Sequence, residues 1–279
     1  MIHIVIPVFN RKEYTKACLV SLQAQTNQSF KVIIVDDGST DGTEEMLRNE
    51  FPEVVVLKGD GGLFWTAGVN MGIRHALKEG AELVMTMNND VLVDSEMIAQ
   101  MYRWHKEKPK ALLGALELDA SNNQPIFGGE RLNWKTNTIE HLLQVLPENE
   151  RKGLHPVTHL PGRSLLIPRV VFDTIGVLDQ ERFPHYIADY DYTHTARRAG
   201  FELFVNYDAK ILTYPEESGE RQIRSSKTFK NYYKHLFDIK GGGNLRDFTR
   251  FTLKNCPPPY VPYHLANGYA RRLLGYFLK

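Results

Sequence analysis

Phe30-Lys-Val-Ile-Ile-Val-Asp-Asp-Gly-Ser-Thr-Asp-Gly-Thr43 is the stretch that decides the fold. Residues 30–35 are a short apolar run rich in β-branched side chains, the pattern of a buried strand. Asp36-Asp37-Gly38-Ser39 stops that run, and Thr40-Asp41-Gly42-Thr43 opens a helix expected to reach about residue 49. A buried strand that breaks at an acidic, glycine-bearing turn and passes straight into a helix is half of a βαβ unit. The alternation continues on both sides. Upstream, residues 3–8 read as a strand, and 12–25 as an amphipathic helix with Ala17, Leu19, Leu22 and Ala24 among polar residues. Downstream come a strand at 54–57, a turn at 59–62, a helix at 66–78, a strand at 82–87, a helix at 94–106 and a strand at 111–118. Strands separated by helices of this length predict an α/β fold, a mostly parallel sheet flanked by helices.

In such sheets, ligands bind outside the carboxyl ends of the strands. Asn10 follows the first predicted strand, Asp36 and Asp37 the second, and Asn88-Asn89-Asp90 the fourth. Chemistry is therefore expected along one edge. From about 119 to 158 the alternation fades into Asn, Pro, Gly and Glu, which reads as an excursion from the sheet. Apolar structure resumes at 160–168. A helix follows at 169–175, then one at 186–199 bearing Asp189 and Asp191, and a strand at 201–205.

With 42% hydrophobic and 24% charged residues, the 279-residue chain can bury a full core, which excludes a disordered or fibrous chain. No apolar run approaches the roughly 18 residues of a membrane-spanning helix. Met1-Ile-His-Ile-Val-Ile-Pro7 enters a strand at once, so no signal peptide is expected. Two distant cysteines, Cys18 and Cys256, form neither a disulfide framework nor a zinc spacing, and a reducing, cytoplasmic location is the expectation.

The net charge of +1 hides an asymmetry: residues 224–279 hold eleven Lys/Arg against two Asp/Glu, and residues 1–223 hold 23 against 31. An acidic body and a basic tail are expected to meet different partners. Within 264–279, Leu265, Tyr269 and Leu273 recur at helical spacing, with Leu274 and Phe277 alongside. Basic amphipathic helices of this kind lie on anionic membranes, although a helix packed on the body or on a second subunit has the same pattern. Nucleic acid is not expected, because the acidic body carries no reader motif.

Three acidic stretches carry the chemistry. A carboxylate at Asp36 or Asp37 can accept hydrogen bonds from a base N–H or from ribose hydroxyls; a helix cap would explain a lone Asp-Gly turn. At Asn88-Asn89-Asp90, Asp90 can ligate a hard divalent cation and Asn88 can offer a carbonyl oxygen, as neutralising a departing diphosphate requires, while a strand-ending turn would explain the same residues. At Asp189-Tyr190-Asp191, a carboxylate can take the proton of an attacking hydroxyl, while acids in a first helical turn also suit the helix dipole. Gly59-Asp-Gly-Gly-Leu-Phe-Trp-Thr-Ala-Gly-Val-Asn-Met-Gly72 lacks the GxGxxG spacing and follows the third strand. Its small residues point to close approach of backbone to a ligand, to packing of the helix on the sheet, or to both.

In this order the segments resemble the family 2 glycosyltransferases, with the nucleotide-sugar-binding fold called GT-A. The resemblance rests on Ile6-Pro-Val-Phe-Asn-Arg11, Ser21-Leu-Gln-Ala-Gln-Thr26, Val35-Asp-Asp-Gly-Ser-Thr-Asp-Gly42, Gly68-Val-Asn-Met-Gly72, Met87-Asn-Asn-Asp-Val91, residues 162–168, Ile175-Gly-Val-Leu-Asp179 and residues 183–200. It covers roughly residues 2–215. The Asn-Asn-Asp form and Gly-Leu-Phe-Trp-Thr look most like bacterial enzymes that build surface polysaccharide, rhamnosyltransferase-like members included. The resemblance implies a catalytic domain over 1–220, with a nucleotide-binding half at 1–118 and an acceptor-side half at 119–220. A helical, basic extension over 221–279 follows.

It further implies an inverting hexosyltransferase that takes a UDP- or dTDP-sugar to a glycan or lipid-diphosphate-linked acceptor. Pro7 and Asn10 would border the nucleotide, Asp37 or its neighbour Asp36 would hold base or ribose, and Asn70 would belong to the substrate-binding set. Asn88 and Asp90 would match the metal-binding DXD motif, with Asp90 the carboxylate ligand of Mg²⁺ or Mn²⁺. Asp189 would be the catalytic base and Asp191 a supporting carboxylate. Peripheral contact with the inner face of the cell membrane, through the tail, is a further expectation, as is an oligomer. Three residues depart from the family pattern: Asn88 replaces the first DXD aspartate, Ala188 replaces the glutamate before the base, and Ile211-Leu-Thr-Tyr-Pro215 lacks a histidine ligand. Ala188 and Thr213 keep a non-catalytic nucleotide-sugar-binding or scaffold protein as the alternative. A nucleotidyltransferase would need a glycine-rich basic loop after the first strand, where Phe9-Asn-Arg-Lys-Glu13 has no glycine. A Rossmann dehydrogenase would need the missing fingerprint.

Overall fold

The computed structural model describes residues 1–215 and 228–278. The expected domain boundary at 220/221 and the last residue of the expected tail helix, Lys279, lie outside them. The first half contains β1 (Ile2–Val8), α1 (Lys12–Gln23), β2 (Phe30–Asp36), α2 (Thr43–Glu50), β3 (Val55–Lys58), α3 (Phe64–Lys78), β4 (Leu83–Met87), β5 (Val91–Val93), α4 (Met97–Glu107) and β6 (Leu112–Asp119). The excursion is β-structured: β7 (Pro125–Phe127), a hairpin of β8 (Glu130–Asn133) and β9 (Thr138–His141), the short α5 (Leu142–Val145) and β10 (Leu154–Pro156). Then come β11 (Ser164–Pro168), α6 (Arg169–Ile175), α7 (Ala188–Arg198) and β12 (Leu203–Thr213). The tail holds α8 (Phe229–Phe237), α9 (Leu245–Asn255) and α10 (Val261–Leu278).

The main sheet runs β10-β12-β6-β11-β4-β1-β2-β3, with β5 paired to β12 and β7 to β6. β1, β2, β3, β4, β6 and β12 share one direction, and β11 runs against its neighbours β4 and β6. This is the expected mostly parallel α/β sheet. Its core strands are buried on both faces because they lack polar alternation. Ile2, Ile4 and Ile6 of β1 are fully buried against Leu19 and Leu22 of α1 and Leu47 of α2; Val5 points the other way, toward Val69 and Ile73 of α3. Each such side chain contributes about 1.5–3 kcal/mol of burial. Gly72 lets α3 approach β1, since a Cβ there would meet Val5 Cγ1 at 2.3 Å.

Two elements differ from expectation. Residues 91–93 form β5 by pairing with β12, and β12 runs to Thr213 because pairing with β6 resumes after an irregularity between Asn206 and Lys210. Both need partners distant in sequence, which local pattern does not reveal. Among the described residues no helix is long and apolar enough to cross a membrane. Of the face expected to lie on a membrane, Tyr269 turns inward, its Oη meeting Thr249 Oγ1 at 2.7 Å, while Leu273 and Leu274 are exposed.

Candidate active site

The shared strand direction delivers the ends of β1, β2, β4 and β12 to one edge, and antiparallel β11 delivers its beginning there. A recess of ≈ 290 Å³ lies on this edge, lined by Pro7, Arg11, Trp65, Asn88, Asp90, Arg163, Asp189 and Thr213 among others. A smaller recess of ≈ 190 Å³, lined by Asp37, Gly61, Phe64, Gly68 and Lys240, shares Pro7, Trp65 and His185 with it.

The loop after β2 is built around its two aspartates. Asp36 Oδ1 accepts from Ser39 N at 3.0 Å, closing the turn. Asp37 is buried; its Oδ1 accepts from Gly61 N at 2.8 Å and its Oδ2 from Leu63 N at 2.9 Å. Gly59 is required beside it, since a Cβ there would stand 2.4 Å from Asp37 Oδ1. Asn10 ties the β1 loop to this one: its N–H donates to Ser39 Oγ at 2.7 Å, and its Oδ1 accepts from Thr40 N at 2.9 Å.

Asp90 pairs with Arg11, Oδ2 to Nη1 at 2.8 Å. Asn88 Oδ1 accepts from the Trp65 indole N–H at 2.8 Å. Asn89 is turned inward and donates to Thr15 Oγ1 at 3.0 Å. Asp189, in the first turn of α7, has both oxygens held by backbone: Oδ2 accepts from Gly162 N at 2.8 Å and Oδ1 from Tyr190 N at 2.9 Å. Burial raises its pKa above the ordinary value, and those two bonds and the Arg163 charge offset part of the rise. Gly162 also lies under Trp65, whose Cη2 would be 2.4 Å from an added Cβ.

Backbone strain gathers here. Of the six non-glycine residues at positive φ among the described residues, Arg11 and Phe64 line the recesses, Asn10 and Ile187 are next in sequence to residues that do, and the other two are asparagines of the excursion. A left-handed β-branched residue such as Ile187 is costly and persists where its surroundings hold it.

Four expected site residues line neither recess: Asn10 and Asp36 shape the loops beside them, and two others are turned away. Asn70 is fully buried and clamps the loop leading to α7, donating to Leu178 O and Gln180 Oε1, each at 2.8 Å, and accepting from Leu178 N at 3.0 Å. Asp191 is buried against the tail, accepting from Lys254 Nζ at 2.6 Å and Asn255 Nδ2 at 2.8 Å. Ala188 is fully buried, so an acid there would lose its solvation.

Sequence reasoning passed over Arg163, Trp65, Arg11, His185 and Lys240. Arg163 stands 3.4 Å from Glu117, which is 3% exposed and whose pKa burial pushes up to about 7 against the pull of Arg163. Its one signal was a charge opening an otherwise apolar run. His185 is held neutral: burial pushes its pKa down to about 4.

The open α/β sheet thus carries two recesses at its strand ends, one beside Asp37 and one between Asp90 and Asp189. The chain belongs to glycosyl transferase family 2, whose family model matches residues 3–175. It is 24% identical over 188 residues to the low-salt glycan biosynthesis hexosyltransferase Agl10 of Haloferax volcanii, covering 66% of this chain and 58% of that protein. It is 26% identical over 196 residues to an uncharacterized glycosyltransferase of Rickettsia prowazekii, covering 68% of this chain and 57% of the relative. The chain thus spans less than two thirds of the length of either. Its fold is similar to that of a mannosyltransferase from Pyrobaculum calidifontis solved with GDP-Man and Mn²⁺: TM-score 0.61, 15% identity, 99% of this chain and 70% of that one.

Proposed function

We propose that the chain is an inverting glycosyltransferase. It would move a sugar from a UDP- or dTDP-linked donor to a hydroxyl of a glycan or lipid-diphosphate-linked acceptor in surface polysaccharide synthesis. The observation that carries this is that the two recesses adjoin, with Pro7, Trp65 and His185 in the walls of both. An elongated donor has room to lie with its nucleoside at Asp37 and its anomeric carbon near Asp189.

In this reading residues 1–118 bind the donor, 119–220 the acceptor side, and 221–279 form the extension. Each Asp37 oxygen keeps a lone pair for a base N–H or a ribose hydroxyl. Arg11 and Arg163 offer positive charge to the diphosphate. Asp189 takes the acceptor proton as the oxygen attacks, and a single displacement inverts the anomeric centre. No cluster of three His, Cys, Asp or Glu that could hold a metal is found among the described residues. One carboxylate completed by phosphate oxygens still suits Mg²⁺ or Mn²⁺. Asp90 would hold such an ion, with Asn88 nearby, and the ion would neutralise the leaving diphosphate. The Mn²⁺ of the similar mannosyltransferase favours it. The basic extension would keep the protein at the inner face of the membrane, near a lipid-linked acceptor.

The test is thermal stability of wild type and Asp189→Asn against nucleotides and nucleotide-sugars, with and without Mn²⁺, followed by a transfer assay. UDP or dTDP species should raise the midpoint of both proteins, and turnover should fall at least about 100-fold in the variant. Full activity of Asp189→Asn would remove Asp189 from its role. Donor binding without turnover in the wild type would favour the non-catalytic alternative.

A further inference from the structure

We infer that the outer face of α8 is a docking surface for an anionic lipid bilayer. This rests on the reading of the extension as membrane-directed, and moves the contact from the C-terminal helix to another one. α8 has two unlike sides. Its inner side packs into the tail: His235 and Leu236 are buried, and the rings of Tyr232 and His235 each lie 5.2 Å from that of Tyr276. On its outer side Phe229, Tyr233 and Phe237 recur every four residues and are 86%, 63% and 53% exposed. Lys230 and Lys234, also exposed, follow the first two aromatics by one position and so form an adjoining stripe.

Three exposed aromatics in line on a nine-residue helix call for a partner. The lysines decide which one. Lysine is depleted from protein–protein interfaces. Aromatic rings beside lysines suit a lipid headgroup layer, where rings enter the acyl boundary and ammonium groups stay with the phosphates. The charge of the tail sequence agrees, since residues 224–279 carry eleven basic and two acidic residues. Three residues beyond the helix, Lys240 lines the smaller recess, so the face adjoins the candidate donor site.

The experiment is cosedimentation of the full chain with vesicles of phosphatidylcholine alone and of phosphatidylcholine mixed with phosphatidylglycerol, at low and high salt. Three proteins are compared: wild type, Phe229→Ser/Tyr233→Ser/Phe237→Ser, and Lys230→Glu/Lys234→Glu. Wild type should bind the anionic vesicles, less so at high salt, and each variant should bind on the order of tenfold more weakly. Absence of wild-type binding, or binding untouched by either set of changes, would overturn the inference. So would a wild-type dimer that these changes convert to monomer without any lipid binding. In Tyr233→Trp, quenching of the new indole by brominated lipid is expected, and its absence would count against this face even if the multiple variants misfold. Nucleotide-induced thermal shifts on the same proteins report the donor site separately. A variant that keeps those shifts but loses vesicle binding isolates the lipid face from the transferase reading.

Discussion

Asp189 keeps its carboxylate in a buried place because two backbone N–H groups point at it, those of Gly162 and Tyr190. Burial still raises its pKa. A base works only when deprotonated, so kcat/KM should fall with acid, with its midpoint above the ordinary carboxylate range; a pH–rate profile checks this, and a limb at the ordinary value would contradict it. Glu117 gives a second pH signature, in stability. Its pKa is lifted from 4.5 to about 7 by burial, so between those values the native state holds a proton that the unfolded state has lost. Stability therefore declines as pH rises through that window. Glu117→Gln should flatten this part of the curve, as read by urea midpoints at several pH values.

At the scale of elements, α3 does more than cover the sheet. Thr66 donates to Phe183 O at 2.7 Å, and Asn70 makes its three bonds to the 178–180 loop, so α3 grips the segment that leads to Asp189. Asn70→Ala would strand buried groups of that loop and should cost about 2–3 kcal/mol in denaturant unfolding. Turnover should fall further than donor binding, because the loop leads to the base. The strands of the first half other than β5 were legible because apolar runs between acidic turns admit one reading. Asp37, Asp90 and Asp189 were legible because each sits where a strand or helix meets the edge. Asn70 looked like a ligand-facing residue, yet its partners lie 108 and 110 positions away. Arg163 was overlooked for a related reason: an apolar run does not announce that its strand lies antiparallel and starts at the site.

At the scale of the molecule, the basic tail is joined to the helix that carries the candidate base. Lys254 bridges Asp191 of α7 and Asp179, and Asn255 bonds Asp191 and receives Arg198. Asp191→Ala leaves Lys254 and Asn255 without their buried acceptor and should destabilise the protein by about 2–4 kcal/mol. Calorimetry checks this, and retention of the wild-type midpoint would show that tail and body are energetically separate. The backward strand β11 has a consequence in time. It lies between β4 and β6, yet leaves the ribosome after both. Until residue 168 has been made, the nascent chain has two facing strand margins and nothing to join them. Unsatisfied margins of this kind recruit other chains. Synthesis of this protein thus passes through an interval in which β4 and β6 lack the one five-residue strand that joins them.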